Sequence, residues 1–268
     1  MHCALGPIVR LFTRALYQDI ESRSTWHDAI KLSQNSLKEL HFWKDNLITR
    51  NGFTFKHHPT TAKIIFTDAS DSGYGGFLCE RLGSKICVGK FTFKEQGLSS
   101  TSRELLAVQN VLDCFGHFLE GQSVQINTDS QNTSRIISVG SSKEHLQNIA
   151  VQIFEKALKH DILIVPNWIP RDQNTIADHL SKFNDTDDWS IDNGSFNCIN
   201  NKFGPFTVDR FADNKNKKVS KFNSKFFCPG SSSVNAFIVD WSSENNWLCP
   251  PISLIGSTNI ELRNFVIG

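Results

Sequence analysis

Between Lys63 and Phe183 short apolar runs alternate with amphipathic stretches, and this alternation constrains the fold more than any other feature of the chain. Lys63-Ile64-Ile65-Phe66-Thr67 reads as a strand that stops at Asp68. Gly73, Gly75 and Gly76 lead into Phe77-Leu78-Cys79, and Gly83 turns the chain into a further run over 85–92, which predicts a β-meander. Ser99-Ser100-Thr101 offers helix N-caps ahead of one apolar face, Leu105, Val108, Leu112 and Phe115. Residues 124–128 read as a strand ending at Asp129, 144–160 as a helix, 162–165 as a strand and 174–183 as a short helix. Strands first, then strands and helices in alternation, predict an α/β domain with a mixed sheet.

The flanks differ in texture. Leu5, Ile8, Val9, Phe12 and Leu16 recur at helical spacing, as do Leu32, Leu37, Leu40, Trp43 and Leu47, so 1–58 is expected as a hairpin of two helices. Residues 184–268 are rich in Asn, Ser, Asp and Lys, with Lys215, Lys217, Lys218, Lys221 and Lys225 clustered and little helical periodicity, so an irregular tail is expected there.

Charge and cysteine content exclude some classes. With 28 Lys+Arg against 27 Asp+Glu the net charge is +1, so a nucleic-acid partner must be met by a local patch rather than by a basic coat. No stretch is apolar for the 18 or so residues that a spanning helix needs, and no membrane partner is expected. The N-terminal apolar stretch is broken by Gly6-Pro7 and carries Arg10 and Arg14, unlike a secretory signal. Seven cysteines, none closer than eight positions to the next, give neither a disulfide framework nor zinc spacing, and fit a reducing, intracellular compartment.

Four carboxylates fall at the ends of elements. Asp68 and Asp129 each close a strand, Glu104 lies in the first turn of a helix, and Asp178 sits in the last short helix. In an α/β sheet the carboxyl ends of strands share one rim, where ligand sites form. Carboxylates gathered there repel, and cations must neutralise them. Oxygen-only ligands favour Mg²⁺ or Mn²⁺ over zinc, and two such ions roughly 4 Å apart can hold a phosphodiester and activate water. A strand-end Asp is also a common turn former, so position alone leaves both readings open.

The residues around these positions are Thr67-Asp68-Ala69-Ser70-Asp71-Ser72-Gly73-Tyr74-Gly75-Gly76, Ser102-Arg103-Glu104-Leu105, Thr128-Asp129-Ser130 and Asn174-Thr175-Ile176-Ala177-Asp178-His179-Leu180-Ser181. In this order, spaced by 36 (68 to 104), 25 (104 to 129) and 49 (129 to 178) positions, they resemble the ribonuclease H domain of retroelement reverse-transcriptase polyproteins, in the gypsy- and DIRS-like branch. The resemblance covers residues 60–183 and implies a ribonuclease H-like mixed five-stranded sheet with flanking helices. It implies endonucleolytic hydrolysis of the RNA strand of RNA–DNA hybrids with two Mg²⁺ (or Mn²⁺), leaving 3′-hydroxyl and 5′-phosphate ends. Asp68 would bridge both ions, Glu104 and Asp129 would hold one, and Asp178 the other. Gly73 and Ser102 match positions near the RNA strand, where 2′-hydroxyl contacts distinguish RNA from DNA.

Two departures qualify this. Many members carry a His ten positions before the last Asp; here that position is Trp168, whose indole cannot transfer protons near neutral pH. Asp185-Thr186-Asp187-Asp188 lacks the aromatic of a polymerase motif, so the chain resembles a piece of such a polyprotein without its polymerase, which would act from another chain. The alternative is a catalytically idle nucleic-acid-binding relic. The tail, Phe203 through Ile252, resembles the region after ribonuclease H in DIRS-like elements, itself distantly similar to adenine-N6 DNA methyltransferases. Those enzymes need Asn or Asp, Pro, Pro and an aromatic, where this chain has Cys249-Pro250-Pro251-Ile252. A degenerate methyltransferase-like tail, packing or touching nucleic acid through its lysines, is therefore expected.

Overall fold

The computed structural model describes residues 8–50, 63–81, 83–187 and 189–267; Leu5, the boundary expected near 58–60 and Asp188 lie outside them. The centre is a five-stranded sheet in the order β3-β2-β1-β4-β5. Its strands are β1 (Lys63–Ala69), β2 (Gly73–Cys79), β3 (Lys85–Lys90), β4 (Ser123–Thr128) and β5 (Leu163–Trp168). β1, β2 and β3 form the antiparallel meander, while β4 runs parallel to both β1 and β5, so the sheet is mixed as expected.

Among the described residues the N-terminal flank holds α1 (Ile8–Leu11), α2 (Arg14–Glu21) and α3 (Gln34–Arg50). In α3 only Trp43 of the expected apolar face packs: Leu37, Leu40 and Leu47 stay exposed, and Ser36 and Glu39 are buried beside Trp43. The reason is polar anchoring. Glu39 accepts from the Ala15 and Leu16 N–H groups (2.8 and 2.9 Å), which are free donors in the first turn of α2, and Trp43 Nε1 donates to the Phe12 carbonyl at 2.6 Å.

In the centre come α4 (Phe93–Gln96), α5 (Ser100–Phe115), α6 (Gln131–Val139), α7 (Glu144–Lys159) and α8 (Thr175–Ser181). Ser99 caps α5 by accepting from Ser102 N–H, and Leu105, Val108, Leu112 and Phe115 pack into one core with Ile65, Leu78, Val124 and Ile126 of the sheet. Two glycines of β2 let helices close on both faces. A Cβ on Gly76 would lie 2.6 Å from Val111 of α5, and one on Gly75 would lie 2.4 Å from Ser181 N and 2.5 Å from Leu180 of α8. α8 is thereby pressed against β2 and β1 with almost no clearance, which places its side chains beside the end of β1.

Residues 184–268 are more ordered than their composition suggests. α9 (Asn193–Phe203), four short parallel strands β6 (Val208–Asp209), β7 (Lys221–Ser224), β8 (Ser233–Val234) and β9 (Asn246–Trp247), and α10 (Ile255–Ile267) form a second layer, with the sheet ordered β8-β7-β6-β9. Arg210, buried, ties this sheet together through Asn246 (2.6 Å), Asn223 (2.9 Å) and the Asp240 carbonyl (3.1 Å). Phe227 joins the two sheets: its N–H donates to the Ile86 carbonyl and its carbonyl accepts from Val88 N–H, covering the edge strand β3.

Candidate active site

Asp68 is the last residue but one of β1 and Asp129 directly follows β4, its parallel neighbour, so both emerge at the same rim. Glu104 is the fifth residue of α5, in its second turn rather than the first. One carboxylate oxygen from each of Asp68, Glu104 and Asp129 lies within 4.8 Å of the others. Asp68 is buried at 4% exposure, and Glu104 and Asp129 are half-buried.

The electrostatics of this group are unresolved internally. Burial raises the Asp68 carboxyl to about 6, the Ser181 hydroxyl opposes the rise, and the Asp129 and Asp178 charges add to it. Burial, then the charges of Asp68 and Asp129, push Glu104 to about 9. Glu104 Oε2 is buried and has no hydrogen-bond partner. An oxygen-only set with an orphaned buried acceptor and mutual repulsion fits a hard divalent cation, which would satisfy the acceptor and cancel the repulsion together.

Asp178 stands beside this group rather than in it. Its charge reaches Asp68, but its oxygens are held by Lys182 Nζ at 2.6 and 2.7 Å and by Arg171 at 3.3 Å. The Lys182 ammonium accordingly holds its carboxyl below the usual range. Of the residues expected to face substrate, Ser102 is buried with its hydroxyl 2.8 Å from that of Ser99. Gly73 is packed so that a Cβ would meet the carbonyls of Gly89 (2.8 Å) and Ser181 (2.9 Å). Trp168, 44% exposed, ends β5, and its indole N–H donates to the Asp129 carbonyl at 3.0 Å.

Three residues of this site escaped the sequence reading. Asn174 Nδ2 donates to the Thr67 carbonyl (3.0 Å), Ser181 Oγ donates to Asp68 Oδ2 (2.6 Å), and Lys182 pairs with Asp178. Asn174 and Ser181 bracket Asp178 in the sequence, but only the fold shows that both reach back to β1.

A cavity of about 510 Å³ opens where the second sheet meets the first, lined among others by Lys90, Phe183, Asp185, Arg210, Lys225 and Phe237. Lys225 pairs with Asp185 across it at 2.6 Å. Nearby, Cys249 is half-buried and Ile252 is 69% exposed. Neither side chain can accept strongly from a base amino group and stack on its ring, so these two positions depart from the pattern such methyltransferases use.

Comparison with known proteins finds two family matches along the chain. Residues 58–155 match the family described as the RNase H-like domain found in reverse transcriptase, and residues 179–266 match DNA N-6-adenine-methyltransferase (Dam). A stretch of 95 residues is 34% identical to the enzymatic polyprotein of Figwort mosaic virus (strain DxS), covering 32% of this chain and 14% of that protein. The chain thus spans only a small part of that relative. Similar solved structures include RNase H1 from the halophilic archaeon Halobacterium salinarum (18% identity, 45% of this chain and 94% of that one, TM-score 0.36). Another is LC11-RNase H1 in complex with an RNA/DNA hybrid (21% identity, 44% and 92%, TM-score 0.34). The centre of the chain is thus similar to the RNase H-like domain of reverse transcriptases, and its sheet has the mixed five-stranded form expected.

Proposed function

We propose that the domain over 60–183 hydrolyses the RNA strand of RNA–DNA hybrids endonucleolytically, as part of a gypsy- or DIRS-like retroelement polyprotein. The observation that carries this reading is the group Asp68, Glu104 and Asp129, gathered within 4.8 Å with a buried Glu104 oxygen left unpartnered. Asp68, Glu104, Asp129 and Asp178 would hold two Mg²⁺ (or Mn²⁺), whose chemistry when bound is to activate water and stabilise charge on the phosphodiester.

The chain's own residues do the rest. Glu104, protonated near neutral pH, must release its proton to become a ligand, so metal binding is linked to proton release. Lys182 and Arg171 pair with Asp178 and are largely exposed, so they could exchange that carboxylate for phosphates of the hybrid. The backbone at Gly73 and the Ser102 end of α5 are the contacts proposed for the RNA strand, and a polymerase domain on another chain is the proposed partner.

The test is cleavage of a labelled RNA–DNA hybrid in Mg²⁺, beside the same sequence as a DNA duplex. Cuts confined to the RNA strand of the hybrid and abolished by EDTA support the reading; chelator-resistant cutting, or equal cutting of the DNA duplex, contradicts it. A second reading, a binding relic without turnover, draws on Trp168 at the position where many relatives carry His. It requires hybrid binding with no cleavage in the same assay.

A further inference from the structure

The geometry points to Ser181 as a positioning residue for Asp68, one whose hydroxyl sets the metal affinity of the acidic group. This rests on the nuclease reading above and adds to it a residue with no carboxylate of its own.

Asp68 closes a strand, and its carboxylate is a short side chain that could rotate between the cluster and the bulk of the molecule. Ser181 Oγ donates to Asp68 Oδ2 at 2.6 Å, and both residues are buried. The donor is itself fixed from three sides. Its helix is pressed on β2 so closely that a Cβ on Gly75 would overlap Ser181 N and Leu180. The Ser181 carbonyl accepts from Ser70 Oγ at 2.7 Å, two residues beyond Asp68 on the same segment. At the other end of α8, Asn174 Nδ2 holds the Thr67 carbonyl, one residue before Asp68. Ties on both sides of Asp68 thus bring onto one carboxylate oxygen a hydroxyl that also lies 2.9 Å from the Asp178 carbonyl, the longer of its two contacts. A buried, charge-assisted bond of this kind orients a ligand and favours its ionised form. α8 therefore contributes twice to the site, through Asp178 at the rim and through Ser181 beneath Asp68.

Removing an orienting group behind a metal ligand costs about 10–100-fold in metal affinity. Mn²⁺ and Mg²⁺ binding, followed by calorimetry and by the metal-induced rise in Tm, is compared for wild type, Ser181→Ala, Ser70→Ala and Asp68→Asn, with hybrid cleavage measured across metal concentration. Ser181→Ala should weaken metal binding by about 10-fold or more and regain cleavage at high metal, while Ser70→Ala, which loosens the same helix–strand contact without touching the carboxylate, stays within about 2-fold of wild type. Should Ser181→Ala fold poorly, Ser181→Cys keeps the size with a weaker donor and should show an intermediate loss. Equal shifts in Ser181→Ala and Ser70→Ala, or no shift in any Ser181 variant while Asp68→Asn abolishes metal binding, overturn the inference. If Asp68→Asn itself binds metal and cuts like wild type, the nuclease reading fails instead.

Discussion

Lys182 Nζ lies 2.6 and 2.7 Å from the two carboxylate oxygens of Asp178, one helical turn earlier, and so occupies the acid that the resemblance assigns to the second ion. The pair is half open to solvent, and an (i, i+4) contact of this kind contributes only about 0.3–0.5 kcal/mol. It is therefore easily exchanged. Lys182→Gln should lower the metal concentration needed for half-maximal binding by roughly 2-fold, the factor that this energy corresponds to. The same change should reduce the salt dependence of hybrid binding by about one phosphate contact. Calorimetry and a salt titration of binding check both; a raised metal requirement would show that Lys182 supports the site rather than competes for it.

The raised carboxyls of Asp68 and Glu104 tie stability and metal binding to pH in opposite directions. Without metal, the folded protein holds protons that the unfolded chain has already lost. The stability from these groups is therefore complete below about pH 4, and it declines as pH rises through about 6 for Asp68 and about 9 for Glu104. Metal binding needs both groups ionised, so affinity should rise over the same window, with proton release at pH 7 seen by calorimetry in buffers of different ionisation enthalpy. Metal affinity that is flat from pH 6 to 9 would contradict the protonation assigned to Glu104.

Gly75→Ala tests the seat of α8. The new Cβ would stand 2.4 Å from Ser181 N and 2.5 Å from the Leu180 carbonyl carbon, both backbone atoms that cannot turn aside. Overpacking of this sort costs about 1–3 kcal/mol, so Tm should drop by several degrees and metal affinity should drop with it. Gly97→Ala, whose Cβ would meet only Lys94 O at 3.5 Å, is the control that leaves both unchanged.

Much of the central domain is legible in the sequence because its signals are local. Asp68 and Asp129 each come at the end of a short strand-like run, and Ser99 stands just before a clean apolar stripe. Other features depend on distant partners. Gln131–Val139 opens with Gln-Asn-Thr-Ser-Arg, polar enough to pass for a loop, and becomes α6 because Ser130 caps it and Ile136 and Ile137 find the core. The leucines of α3 advertise an apolar face, yet the helix docks through Glu39 and Trp43, whose acceptors and donors lie on the preceding segment. The strands of the second sheet are two to four residues long, too short for any periodicity to register. In the site itself the carboxylates could be named from their places at element ends, but the reach of Ser181 to Asp68 exists only once α8 lies across β2.

The second layer is expected to carry no methyl transfer. With Cys249 and Ile252 in place of an amide or carboxylate and an aromatic ring, incubation with labelled S-adenosylmethionine and adenine-containing DNA should leave the DNA unlabelled. Label on adenine N6 would show that other side chains of the cavity supply the missing contacts.

The most direct measurement of the whole account is single-turnover cleavage of an RNA–DNA hybrid in Mn²⁺ by wild type and by Asp68→Asn, a change that keeps the shape of the side chain and removes its charge. Removing a ligand at the centre of the acidic group should slow the RNA-strand cut by on the order of 100-fold or more, with hybrid binding retained. Equal rates in the two proteins, at any metal concentration, would contradict it.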